Sequence, residues 1–144
     1  MAESKYSKYV NREWITWSVF KEVPAPQFLV SGQQHLGGYP FSMGWSLLTE
    51  PFTMVPSSHS HDYDQVICFT GGDPHDIRKF DALIEFGLGE EEEIQVITSS
   101  TFIWIPKGLA HGPLHVKEIN EPVMFIDVVM DPVAGGAGDK KLEK

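Results

Sequence analysis

Turn signals cut this chain into pieces too short for most folds other than those built from strands. Gly71-Gly72, Gly87-Leu88-Gly89 and Pro106-Lys107-Gly108 separate runs of β-branched and aromatic residues, and Pro24, Pro26, Pro51 and Pro56 break the first half in the same way. The runs are Trp14–Phe20, Phe28–Val30, Phe41–Thr49, Gln65–Thr70, Ala82–Phe86, Glu93–Thr98, Thr101–Ile105, Leu114–Lys117 and Pro122–Met130. No stretch carries the 3.6-residue apolar period of an amphipathic helix. Many short strands with turns between them predict an all-β sandwich or barrel. One domain over 14–132 is expected, with a polar flexible segment at 1–13 and a disordered tail at 133–144.

A chain of 144 residues can bury a real core without covalent staples. Its single cysteine, Cys68, allows no internal disulfide. It sits in an apolar run, where an inert buried thiol is expected. The start of the chain has no apolar leader-like region, and no apolar run approaches the roughly 20 residues of a membrane-spanning helix. These features fit a cytoplasmic placement. The net charge of −9 disfavours nucleic acid or an anionic membrane as partner. Glu90–Glu93 read as a solvated hairpin tip, because the interleaved pattern of a calcium loop is absent. There is no serine-nucleophile signature, phosphate loop or dinucleotide fingerprint.

The chemistry concentrates in Pro56-Ser57-Ser58-His59-Ser60-His61-Asp62-Tyr63-Asp64-Gln65. Read as a strand, this stretch sends His59 and His61 to one face, close enough to share an ion. His111, after Pro106-Lys107-Gly108-Leu109-Ala110, supplies a plausible third imidazole from a separate hairpin. Neutral imidazole is the commonest nitrogen ligand for transition metals. His35 and His75 fall in loop-like segments and read as surface residues.

The pattern His59-x-His61-x3-Gln65-x6-Gly72, followed by Pro106-x-Gly108-x2-His111, resembles the two motifs of the cupin superfamily. The motifs span 59–111, and the strands on either side extend the likeness over most of the chain. Gln65 stands where cupins usually carry a glutamate ligand, His115 where they usually carry asparagine, and Ser100 where a glycine usually leads the second motif. The resemblance implies a jelly-roll barrel. It also implies a divalent metal held by His59, His61, His111 and Gln65, with Fe2+ favoured and Zn2+, Ni2+ or Mn2+ as alternatives. It implies no single reaction, because cupins include dioxygenases, isomerases, decarboxylases, lyases and binding modules.

Gln65 is neutral, so a +2 ion held by these four residues keeps its full charge. That predicts attraction for an anionic or enolisable oxygen ligand and a looser hold on the metal. Asp64 is an alternative fourth donor, although strand parity places Gln65, not Asp64, with His61. His115 and Tyr63 are candidate proton-moving groups, and Phe41, Trp45, Phe69, Phe102 and Trp104 are candidate pocket walls. The leading expectation is a dioxygenase-like enzyme acting on a small oxygen-bearing substrate. The alternatives are a metal-dependent isomerase or lyase, and a non-catalytic binding module. The resemblance further implies a homodimer, with Trp14–Phe20 as a candidate packing segment.

Overall fold

In the computed structural model, residues 4–12, 15–23 and 25–133 are described. They form ten strands: β1 Ile15–Thr16, β2 Gln27–Ser31, β3 Ser42–Leu48, β4 Phe52–Val55, β5 Gln65–Gly71, β6 Ala82–Leu88, β7 Glu93–Ile97, β8 Thr101–Ile105, β9 His111–Ile119 and β10 Val123–Val129. Among the described residues the only helical pieces are the four-residue α1, Gly32–His35, and a single turn at Ser7–Tyr9. No described helix is long and apolar enough to cross a membrane.

Two antiparallel sheets face each other. One has the order β1-β2-β3-β10-β5-β8, the other β4-β9-β6-β7. The strictly alternating burial of β5 shows why the chain packs this way: Gln65, Ile67, Phe69 and Gly71 point inward, while Val66, Cys68 and Thr70 point out. The inner faces meet in one core. Leu48, Phe69 and Val123 come from the larger sheet, and Ile84, Phe86, Leu114 and Val116 from the smaller. Each such fully buried side chain contributes roughly 1.5–3 kcal/mol of burial free energy.

The core fills one end of the barrel and leaves the other open. Val129 pairs with Ser42 on one side and Gln65 on the other, and Gln65 pairs with Ile105. This rung spans β3, β10, β5 and β8 and marks the end that holds the cavity. The all-β architecture read from the turn spacing is observed, and so is the jelly roll that the cupin resemblance implies.

Three local expectations change. The run 14–20 forms a strand only at Ile15–Thr16, with Trp14 outside the described residues. Beyond it the chain turns, with the Val23 N–H donating to the Phe20 carbonyl, and Phe20 packs on Phe52 with ring centroids 5.4 Å apart. The His59–His61 stretch is not a strand. It is an extended loop touching the sheet through one bridge, His59 to His111. Cys68 faces outward and is only half-buried. The tail from 134 and Pro24 lie outside the described residues.

Candidate metal centre

The site is built where two turns are laced together. The backbone N–H groups of His59 and His111 each donate to the other's carbonyl, at 2.9 and 2.8 Å. Gly108 N–H donates to the His61 carbonyl at 2.9 Å, and Lys107 N–H donates to Asp64 Oδ1 at 2.8 Å. The Pro106–Gly108 turn is thus pinned against the segment after His61. Asp64 Oδ1 thereby serves as an acceptor that holds the turn.

These contacts bring three imidazoles together. One ring nitrogen from each of His59, His61 and His111 lies within 4.8 Å of the others. His59 Nε2 and His61 Nε2 are 3.1 Å apart. His111 Nδ1 lies 2.9 Å from the Leu109 carbonyl, so Nδ1 carries the hydrogen and Nε2 keeps its lone pair. His61 stacks on Tyr63, with centroids 4.8 Å apart and planes 7° from parallel. Burial, followed by the proximity of His59 and His111, pushes the His61 pKa below its ordinary value. Burial pushes His111 down too, partly opposed by its hydrogen bond to Leu109. Both shifts favour the neutral ring, which is the form that binds metal.

The cluster opens on a cavity of about 240 Å³. Its walls are largely apolar, including Phe20, Leu29, Trp45, Met54, Phe86 and Phe125. Among the described residues that line it there is no lysine or arginine. Gln65 also lines it and is 8% exposed. Its Nε2 donates to Asp127 Oδ1 at 2.7 Å, and its Oε1 is buried with no hydrogen-bond partner. The residues present therefore fit a divalent transition ion: three imidazoles converge at a cavity that is also lined by a glutamine with an unpaired amide oxygen.

Asp127 was missed in the sequence. It reads there as an interruption of the apolar run Pro122–Met130, yet Val123, Phe125, Asp127 and Val129 share one parity and line the interior. A carboxylate on the buried parity of a strand was the available signal. Burial pushes the Asp127 carboxyl up, and the Gln65 hydrogen bond pulls it partly back. Burial, with Asp127 and Asp131 nearby, likewise pushes the Tyr63 hydroxyl up.

His115 does not reach this site. Leu114 and Val116 point into the core, so His115 between them points away, where Nδ1 meets Thr53 Oγ1 at 2.9 Å. The four-residue spacing from His111 suggests a shared face. A bulge removes it: Phe86 and Leu88, two apart on β6, pair with Leu114 and His111, three apart on β9. Of the five aromatics read as walls, Trp45 alone lines the cavity. Phe69 is in the core, while Phe102 and Trp104 are 70% and 63% exposed on the outer face. His75 is exposed, as expected. His35 is half-buried in α1, with Nδ1 accepting from the Ser31 N–H at 2.8 Å.

No protein-family model matches the chain. No curated protein matches it by sequence. Solved structures do match. A variant of oxalate decarboxylase from Bacillus subtilis superposes with a TM-score of 0.56 at 13% identity, over 88% of this chain and 30% of that one. The chain has the cupin fold. A further B. subtilis oxalate decarboxylase structure, from work on its Mn(II) centres, matches with a TM-score of 0.54 at 13% identity, over 81% of this chain and 28% of that one. Peruvianin-I, a cysteine peptidase from Thevetia peruviana latex, matches with a TM-score of 0.58 at 14% identity, over 96% of this chain and 82% of that one. This cupin barrel thus spans less than a third of the decarboxylases it resembles.

Proposed function

We propose that this cupin is a metal-dependent enzyme acting on a small oxygen-bearing molecule, with His59, His61 and His111 as ligands and Gln65 as a weaker fourth. The observation that carries the reading is the convergence of three ring nitrogens within 4.8 Å at the wall of an apolar cavity. Fe2+ and dioxygenase chemistry are favoured. A bound ion of that kind supplies redox chemistry toward O2 and a Lewis acid for a substrate oxygen.

The chain's own residues define what enters. The apolar walls suit an uncharged carbon skeleton. Any anionic group on the substrate has only the ion to pair with, since no cationic side chain is among the described lining residues. Tyr63, stacked on His61, keeps its hydroxyl proton and is placed to donate it to a substrate oxygen. Peptidase chemistry gains no support: Cys68 points out of the barrel, and burial pushes its thiol up.

Metal content of protein purified without chelator, followed by anaerobic Fe2+ reconstitution and O2 uptake with phenols and diketones, tests the reading. Stoichiometric metal with substrate-dependent uptake is expected. Metal binding without turnover on Fe2+, Mn2+, Ni2+ or Zn2+ points instead to a binding module, and absence of any metal binding overturns the proposal.

A further inference from the structure

Gln65 and Asp127 sit on neighbouring strands as diagonal partners. Asp127 pairs with Ile67 and Val129 with Gln65, so the two side chains share the inner face one register step apart. Both line the cavity. The contact between them is 2.7 Å, short for an amide donating to a carboxyl.

This geometry decides which end of the Gln65 amide remains available. A glutamine amide has one donor end and one acceptor end, of similar size, and either can face a metal site. Only the oxygen can bind a cation. With the nitrogen committed to Asp127, the oxygen is the end left over, and it is buried without any partner among the described residues. An orphaned buried acceptor is costly unless something takes its lone pair. No other described residue takes it.

We infer that Asp127 is a positioning residue: by accepting from the Gln65 amide it holds the Oε1 of Gln65 as a ready-made donor for the ion at His59, His61 and His111. The inference rests on the metal reading above and extends it to a residue outside the ligand set. It also accounts for a neutral amide at this place. The carboxyl that a cupin usually carries at position 65 is found here one strand away, working through the glutamine.

Co2+ is the probe, because its visible absorption bands report the number of donors around it. Co2+ affinity is measured by competition with a chromophoric chelator in the wild type, Asp127→Ala, Asp127→Asn, Gln65→Ala and the double variant Gln65→Ala/Asp127→Ala. Asp127→Ala is expected to weaken Co2+ roughly 10- to 100-fold, the usual range for loss of a partner that orients a ligand. Its spectrum should become that of Gln65→Ala. Asp127→Asn keeps an acceptor oxygen and should recover most of the affinity. In the Gln65→Ala background, adding Asp127→Ala should cost nothing further, because its effect runs through the amide. Additive losses, or an Asp127→Ala spectrum equal to that of the wild type, overturn the role of Asp127 while leaving the metal site standing. A wild type that binds no Co2+ overturns both. Melting curves of each variant separate loss of fold from loss of donor, and Asp127→Asn carries the test if Asp127→Ala does not fold.

Discussion

His59 and His111 face each other across one backbone bridge, and each contributes a nitrogen that the other two rings cannot replace. His59→Ala and His111→Ala should therefore each lose most bound metal, by at least the roughly 10- to 100-fold that loss of even an outer partner costs. His75→Ala, on an exposed loop, should leave stoichiometry unchanged; elemental analysis after dialysis reads all three. Two of the three rings, His61 and His111, carry a pH signature. His61 and His111 have folded-state pKa values below the ordinary value of about 6.5. Lowered folded values mean the unfolded chain takes up protons first as pH falls. Their contribution to stability is thus complete above about pH 6.5 and is lost on acidification through the lower folded values. NMR titration of the metal-free protein should give both rings a midpoint below the ordinary value, and an ordinary midpoint for both would contradict the burial seen here. The three histidines were legible because ligand spacing survives in a linear motif. Asp127 was not singled out: its partner lies 62 positions away, and only the pairing of β5 with β10 brings them together. His115 misled for the converse reason, since a bulge changes which face a residue takes without leaving a mark in the spacing.

At the scale of elements, the site depends on how closely two loops approach. Gly112 adopts a φ of +111°, and a Cβ there would lie 2.5 Å from the Ser57 carbonyl oxygen. Both the backbone conformation and the contact exclude a side chain. Gly112→Ala should cost about 1–3 kcal/mol. It should also push the Ser57–His59 segment off His111, so that metal is lost together with stability. Gly108, with φ of +86° but open space around it, meets only the conformational cost. Gly108→Ala should destabilise by about 1–2 kcal/mol yet keep most of its metal. Thermal melts paired with metal analysis distinguish the two, and equal metal loss in both would refute the contact argument. Strand content and turn positions were readable because β-branched runs and Gly–Pro punctuation are local properties. The cavity wall was not: Ser18 and Phe20 look like part of a first strand, yet both line the cavity where the chain bends and Phe20 packs on Phe52 from β4.

Among the described residues, the outer side of the six-stranded sheet is a face without charged side chains on β5, β8 and β10. Along the outer side of the six-stranded sheet, Val66 and Cys68 on β5 register with Trp104 and Phe102 on β8, and Val128 and Ile126 on β10 register with the same pair on β5. Leu47, Phe102 and Trp104 are the most exposed of this surface, at 40%, 70% and 63%. The chain as a whole carries a net charge of −9, so a contact between two copies is least opposed by charge on this face. A two-fold contact of this face with itself satisfies both conditions, and a self-complementary patch of this kind is the usual basis of a symmetric dimer. On that argument we propose that the homodimer implied by the sequence resemblance would use the outer sheet and not the Trp14–Phe20 run, of which Ser18 and Phe20 line the cavity. Sedimentation velocity of the wild type should give a dimer. Trp104→Glu places a buried like charge on each side of the two-fold contact, and should shift the protein to monomer without moving its melting temperature at low concentration. Glu92→Lys on the distant β6–β7 turn should leave the dimer intact. A monomeric wild type, or a dimer indifferent to Trp104→Glu, removes this face from consideration as the interface.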